Sequence, residues 1–161
     1  MKQAIGTTSL FKIILVFTFL FAAFLSVAIN YNKVYRMKNE ALYIIEKYEG
    51  VTQTSIPIIN NYLKNNGYNI QGNCGIDYPY GVKDLNSNDV EKSAPNTKYY
   101  YCLNEYCKNG ACNVNKKGDN QIYFQAKFFF KFNLPFFEDL ATFKITGETK
   151  GIKFYNETQR L

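Results

Sequence analysis

The sequence predicts an α+β protein in which one long N-terminal helix packs on a small antiparallel β-sheet. A hydrophobic run covers residues 10–29, and apolar residues then recur at three- and four-residue steps over residues 31–48. Farther along, apolar residues occupy every second position over residues 121–133. The first two patterns are typical of a helix that leaves a membrane and then covers a core. The third is typical of a strand with one buried face.

The hydrophobic run is long enough to cross a bilayer. It holds twenty residues and is interrupted only by Lys12, Thr18 and Ser26. As a helix it would extend ~30 Å, the thickness of a bilayer core, and the Lys12 amine can reach the head groups. We therefore predict that residues 1–30 form a retained membrane anchor and residues 31–161 one extracytoplasmic domain.

A cleaved signal peptide is the alternative for this segment. Lys2 and Lys12 would supply its positive end, and Ser26 and Ala28 have the small-residue spacing suited to cleavage after Ala28. The apolar run is longer than an ordinary signal-peptide core, and the helical pattern continues beyond it. Both features favour the retained helix.

The helix is predicted to continue past the membrane as an amphipathic half. No Pro or Gly interrupts residues 7–49, and Gly50 is well placed to end the helix. Asn39 falls on the predicted solvent side. The predicted buried stripe consists of Tyr31, Val34, Tyr35, Lys38, Ala41, Leu42, Ile45 and Tyr48.

A short second helix is predicted next. Ser55 is a candidate N-cap, Pro57 fits the first turn, and Gly67 is placed to end it. Its predicted core-facing residues are Ile58, Ile59, Tyr62 and Leu63. Residues 68–96, rich in Gly, Asn, Asp, Ser and Pro, are predicted as a loop with one short strand.

Four strands complete the predicted sheet, at residues 98–103, 121–133, 141–146 and 152–155. The last two are predicted to form a hairpin through residues 147–151, which begin and end with Gly. Short links between consecutive strands imply an antiparallel sheet, and the amphipathic helix would cover its apolar side. The predicted inward face of the longest strand is Ile122, Phe124, Ala126, Phe128, Phe130 and Phe132.

Phe129 breaks the polar face of that strand, between Lys127 and Lys131. An exposed aromatic side chain there could contact a partner subunit or the bilayer surface. Cover by a loop of the same chain is the alternative, and the one we favour.

Four cysteines, Cys74, Cys102, Cys107 and Cys112, form an even set within a small domain. They predict disulfides and an oxidising compartment, which would place the domain outside the cell and the N-terminus in the cytoplasm. Three connectivities are possible. A Cys107–Cys112 bond closing a hairpin loop would leave Cys74–Cys102 as the longer link. A zinc site of four thiolates is the alternative, but the sequence lacks the tight Cys-x2-Cys spacing.

Asp84, Asn86 and Asn88 match the first three ligands of a calcium loop. Asp89 then stands where glycine is needed and Pro95 where a bidentate Glu is needed. An Asx turn is therefore the favoured interpretation.

Composition narrows the function further. The chain has no His, which excludes His-dependent triads and His-ligated metal centres. The net charge is +6, and basic and acidic residues are interspersed along the chain. The sequence lacks the dense basic block that is typical of nucleic-acid binding. We predict no enzyme activity, no cofactor and no nucleic-acid partner. The abundance of Asn, Lys, Tyr, Phe and Ile is typical of a low-GC bacterial genome.

The N-terminus, Met1 to Gly6, resembles a short basic prepilin leader, with Thr7 beginning the mature helix. With the helix-on-sheet plan, the chain resembles the type IV pilin-like proteins, and among them the tight-adherence pseudopilins. The resemblance implies processing after Gly6 and assembly with like subunits. Family members usually carry Glu at the fifth mature position, where this chain has Phe11, and some minor pilins are similar in lacking that Glu.

These patterns predict a single-pass, pilin-like envelope protein with a structural or assembly role in a surface filament or secretion apparatus. Its expected partners are the lipid bilayer and other membrane or pilin-like subunits. The alternative is a membrane-tethered binding module whose loop at residues 68–101 holds a ligand of unknown identity.

Overall fold

The computed structural model describes residues 2–107, 121–131 and 142–153, with side chains from residue 9 onward. The predicted architecture is confirmed: a long N-terminal helix covers a small antiparallel sheet. The helices and strands in chain order are α1 (Lys2–Lys47), α2 (Ser55–Asn65), β1 (Tyr80–Val82), β2 (Glu91–Lys92), β3 (Tyr101–Cys107), β4 (Gln121–Phe130), β5 (Phe143–Glu148) and β6 (Ile152–Lys153).

Helix α1 is one uninterrupted helix of 46 residues. At its end the Gly50 amide donates to the Ile45 carbonyl at 2.9 Å, and the Glu49 amide donates to the Glu46 carbonyl at 3.2 Å. These two bonds form a Schellman motif. The helix ends where predicted, but the residue in the left-handed conformation is Glu49 (φ 55°), one position before Gly50.

The N-terminus of α2 is closed by Thr52, because Thr54, directly before the helix, makes no side-chain cap bond. The prediction that Ser55 is the N-cap was wrong. The Ser55 amide donates to Thr52 Oγ1 at 3.1 Å, and the Thr52 amide donates to Ser55 Oγ at 2.8 Å. This reciprocal arrangement is a capping box in which Ser55 takes the position usually filled by Glu or Gln. The helix ends as predicted at Gly67, whose φ of 67° is left-handed.

The sheet has the strand order β2-β1-β3-β4-β5, and every described pairing is antiparallel. β3 begins three residues later than predicted and continues to Cys107. The predicted loop at residues 68–96 contributes two short strands, where the sequence predicted one. β4 is the longest strand and lies between β3 and β5, so it organises the sheet.

β5 and β6 do not form the predicted hairpin, because both pair with the same edge of β4. Gln125 pairs with Glu148, and Ile122 pairs with Ile152. Three residues, 149–151, therefore face two on β4, which is the geometry of a β-bulge. Thr149 fills the break: its amide donates to the Phe124 carbonyl at 2.9 Å, and its Oγ1 accepts the Phe124 N–H at 3.0 Å.

Two contacts from α1 explain why this segment stays beside β4. The Lys150 amide donates to the Glu46 carboxylate of α1 at 2.8 Å. Gly147, interpreted from sequence as a turn residue, instead allows close approach of the helix. A Cβ there would lie 2.7 Å from Leu42 Cδ1 and 2.8 Å from Lys38 Cδ.

The main core lies between α1, α2 and the inner face of the sheet. Most of the predicted stripe is buried, but Tyr31 and Tyr35 are 43% and 42% exposed and lie at its margin. Met37 and Ile44 are buried on α1, although they were not predicted to be. On the sheet, the predicted inward residues Ile122, Phe124, Ala126, Phe128 and Phe130 are all buried, and Phe132 lies outside the described residues.

The second face of the sheet is also covered, by the loop that precedes β3. A small cluster there consists of Cys74, Tyr78, Tyr99, Cys102 and Phe129. Phe129 is only 3% exposed, so it offers no surface to a partner or a bilayer. The alternative we favoured, cover by a loop, matches the structure. A Cβ at Gly72 would lie 2.6 Å from Phe129 Cγ, so glycine is what lets the loop approach this ring.

Candidate functional site

The first half of α1 presents a largely exposed apolar surface. Its large apolar side chains from Leu10 to Leu25 are between 41% and 69% exposed. The helix is long and apolar enough to cross a membrane, and its most apolar stretch is entirely unburied. This helix is compatible with a single-pass membrane anchor.

The two predicted cleavage positions lie within that helix. The backbone is helical at Gly6 and continues without a break past Ala28 to Lys47. Phe11, which stands where pilin-like proteins usually carry Glu, is 64% exposed on its surface. Processing after Gly6 stays a prediction.

A disulfide joins Cys74 to Cys102, which is the pairing expected in one of the three possible connectivities. The bond links residues 28 apart with a Cα–Cα distance of 5.5 Å, and both side chains are fully buried. In the chain-entropy model a link of this span stabilises the fold by about 3–4 kcal/mol. Cys107 is also disulfide-bonded. Cys112, its predicted partner, lies outside the described residues. A buried disulfide is typical of an oxidising compartment.

The disulfide holds the loop against the sheet beside Lys127. The Lys127 amine donates to the Cys74 carbonyl and lies 4.0 Å from the centroid of the Tyr78 ring. Burial lowers the pKa of this amine, the charge of Lys144 lowers it further, and Asp77 opposes the shift. Alternation alone had placed Lys127 on the solvent side. The neighbouring Phe129, an aromatic residue on the same face, was the sequence signal that this face is covered.

Tyr68 connects the same loop to β4 and to the residue that precedes β3. Its hydroxyl accepts the Phe129 N–H at 2.9 Å and lies within donating distance of the carbonyls of Tyr100, at 2.9 Å, and Phe129, at 3.0 Å. Burial raises the pKa of this hydroxyl well above its ordinary range, while the backbone bond at Phe129 opposes the shift. It is therefore a neutral structural bridge at physiological pH.

An open cavity of about 660 Å³ lies beside this loop. Residues 92–96 line one side, and the other side is lined by Asn73, Gly75, Ile76, Pro79 and Tyr80. Ile76, at its edge, is 99% exposed, and Lys92 is the cation of its lining. The remaining lining groups are backbone, amide, hydroxyl and apolar side chains, which suit an uncharged ligand with both polar and apolar parts.

Asp84 forms the Asx turn that the sequence favoured. Its carboxylate accepts the Asn86 backbone N–H at 2.8 Å and the Asn86 side-chain amide at 2.9 Å. Within residues 2–107, 121–131 and 142–153, no group of three or more Cys, Asp or Glu is arranged to hold a metal ion.

Comparison of the chain with protein-family models, with characterised protein sequences and with solved structures finds no significant match.

Proposed function

We propose that this chain is a single-pass envelope protein of the pilin-like kind, with its domain outside the cell and a structural or assembly role in a surface filament or secretion apparatus. The observation that carries the proposal is that the two halves of α1 have different surroundings. One unbroken helix supplies both an exposed apolar segment and a buried side of the domain core.

This arrangement supports an assembly role because it couples the membrane segment rigidly to the folded domain. A chain that needed only a tether could end its anchor in a flexible linker. Here Val34, Ala41 and Ile45 of the same helix are buried in the domain core, with exposures of 4%, 1% and 0%. Packing of the apolar half against like helices would therefore fix the relative positions of the domains.

Membrane attachment is tested first by alkaline carbonate extraction of membranes that contain the full chain. We expect the protein to stay with the lipid, since a spanning helix resists this treatment. Recovery of a soluble form that begins near Ile29 would establish signal-peptide cleavage and overturn the anchor.

The assembly role is tested by photo-crosslinking in those membranes, with a benzophenone amino acid at Phe17 or at Tyr43. The two side chains are 69% and 56% exposed, but Phe17 lies in the membrane segment and Tyr43 on the domain half of α1. Protein adducts at Phe17, absent or weaker at Tyr43, are the expected result. Adducts with lipid alone at Phe17 would remove the assembly role and leave the anchor standing.

A second candidate function is a tethered binding module, and the cavity lined by Ile76 and residues 92–96 favours it. It is tested by a thermal-shift screen of uncharged saccharides and short peptides. A stabilising ligand whose effect is lost in Ile76→Asp would support this function, and the absence of any shift would count against it.

A further inference from the structure

Two adjoining cavities flank α1 immediately beyond the hydrophobic run. One, of about 170 Å³, lies between α1, residues 67–70 and the end of β4, and the other, of about 490 Å³, lies between α1 and α2. Lys33 and Met37 line both. Lys33 follows Ile29 by four residues, which is roughly 6 Å along a helix axis. When residues 10–29 span a bilayer, both cavities therefore open at the level of the lipid head groups.

The charge at these cavities is positive and uncompensated. Lys33 and Lys131 line the smaller cavity, Lys33 and Arg36 line the larger, and neither lining includes an Asp or Glu. In the part of the chain that the structure describes, none of these three cations forms a hydrogen bond or an ion pair. Lys33 Nζ lies 3.9 Å from the position that a Cβ on Gly67 would occupy, so the amine is held at the cavity wall.

Three other basic side chains near the sheet and α2 have partners within the chain. Lys38 lies 4.3 Å from the Tyr35 ring centroid, Lys64 donates to Asn86 Oδ1 at 2.7 Å, and Lys127 is bonded to the Cys74 carbonyl. Lys33, Arg36 and Lys131 differ in being grouped at two adjoining cavities, where they are available for an external anion.

The two cavities also change in polarity along α1. Ile29 lies at the membrane end of the larger one, Val34 and Phe130 form apolar wall in the smaller one, and asparagine amides add neutral donors to both. An apolar end toward the bilayer and a cationic end away from it match the two parts of a phospholipid.

We propose that this junction binds the head group of an anionic phospholipid. Lys33 and Arg36 contact the phosphate oxygens, Lys131 adds charge from the sheet side, and the acyl chains lie along the apolar surface of α1 toward Ile29. Arginine suits this role because its guanidinium can donate two parallel bonds to phosphate. The inference rests on the anchor of the proposed function and not on the assembly role, and it adds a site that sets the depth and rotation of the helix.

The test uses the full chain in a neutral detergent, with bound lipid counted by native mass spectrometry. Phosphatidylglycerol and phosphatidylcholine with identical acyl chains are titrated against wild type, Lys33→Gln/Arg36→Gln, and the control Lys83→Gln/Lys98→Gln. All four positions are exposed, so folding is preserved. We expect wild type and the control to prefer phosphatidylglycerol. At roughly fivefold per basic residue, the first double variant should bind it about 25-fold more weakly.

Each other outcome has a distinct meaning. Equal binding of the two lipids, or equal losses in the two double variants, would overturn the site in favour of general charge attraction. Displacement of lipid by millimolar inorganic phosphate, without lipid preference, would show a free-phosphate site and overturn the lipid assignment. Loss of lipid preference in a chain that still resists carbonate extraction would remove this site alone, leaving the anchor intact.

Discussion

At the scale of single residues, buried hydroxyl groups tie the helices and the loop to the sheet. Tyr101 is completely buried, and its hydroxyl donates to Asn60 Oδ1 at 2.9 Å. The Asn60 amide donates in turn to the Ser87 carbonyl at 2.7 Å, so one chain of bonds joins β3, α2 and the loop. Burial raises the pKa of Tyr101 far above its ordinary range. Its proton, like that of Tyr68, is therefore held by the folded state.

The burial of Tyr68 and Tyr101 predicts that the free energy of unfolding falls at alkaline pH. Above pH 10, the ordinary tyrosine pKa, the unfolded chain releases the two protons while the folded chain keeps them. The contribution of each is therefore intact below pH 10 and is lost as the pH rises toward the raised folded pKa. At pH 11 we expect each to lower the free energy of unfolding by about 1.4 kcal/mol.

Urea unfolding of the detergent-solubilised chain at pH 8 and pH 11 measures this fall. Tyr101→Phe should show a smaller fall between the two pH values than wild type, whatever its stability at pH 8. Tyr43→Phe, at a position 56% exposed, is the matched control. The idea fails if Tyr101→Phe and wild type lose the same free energy.

At the scale of elements, the bulge at Thr149 lets the two short strands β5 and β6 pair with the same side of β4. β5 pairs with residues 125–130 and β6 with residues 121–122, so β4 is paired along almost its whole length on that side. The Thr149 hydroxyl is the substitute for the missing ladder carbonyl, since it accepts the Phe124 N–H within the core. Without it, a backbone donor would be buried with no acceptor.

Replacing Thr149 by Val keeps the shape of the side chain and removes the acceptor. We expect a loss of about 1–3 kcal/mol in the free energy of unfolding, because the Phe124 N–H is then buried and unsatisfied. Thr149→Ser keeps the hydroxyl and should lose clearly less. Chemical denaturation of both variants provides the comparison, and losses as large in Thr149→Ser as in Thr149→Val would show that the hydrogen bond to the Phe124 N–H contributes no more than the methyl group.

At the scale of the whole molecule, α1 forms one side of the domain core. It contacts both β4 and β5 and also packs on α2. Leu42 and Ile45 are 7% and 0% exposed on this side, whereas Asn39 of the same helix faces solvent. The fold of the domain thus depends on the helix that also carries the apolar segment.

Replacing Leu42 or Ile45 by Asp puts an unpaired charge against the sheet. Such burial costs several kcal/mol, comparable with a total stability of about 5–15 kcal/mol, so both variants should be degraded rapidly by protease in detergent. Asn39→Asp should change stability by no more than about 0.5 kcal/mol and remain resistant. Equal resistance of the three would mean that α1 does not hold the domain together.

The elements that sequence could predict are those with strong local periodicity. Helix α1 and strand β4 follow from repeats of three to four and of two residues, which report burial directly. The bulge was missed because its cause is distant: Glu46 and Lys150 are 104 residues apart. Gly147 carries the same local signal for a turn and for close approach of a helix, and its contact with Leu42 decides between them.

The features of the candidate site also differ in whether the sequence could predict them. Disulfide bonding was predictable from the even set of cysteines, but the pairing of Cys74 with Cys102 required the fold. Burial of Lys127 was not predictable from alternation, because a loop and not a helix covers that face of the sheet. The N-terminus of α2 was ambiguous because Thr52 and Ser55 can each cap a helix, and the sequence does not show the reciprocal bonds that join them.

The unbroken path of α1 from residue 2 to residue 47 also has a mechanical consequence. About 27 Å of this helix, residues 30–47, extends past the hydrophobic run, at 1.5 Å per residue. Spanning helices commonly tilt by about 20° to fit the local bilayer thickness. Because neither proline nor glycine offers a hinge along residues 7–47, such a tilt would act as a lever and swing the far end of the helix sideways by roughly 9 Å. The position of the folded domain relative to the membrane would thereby depend on membrane thickness.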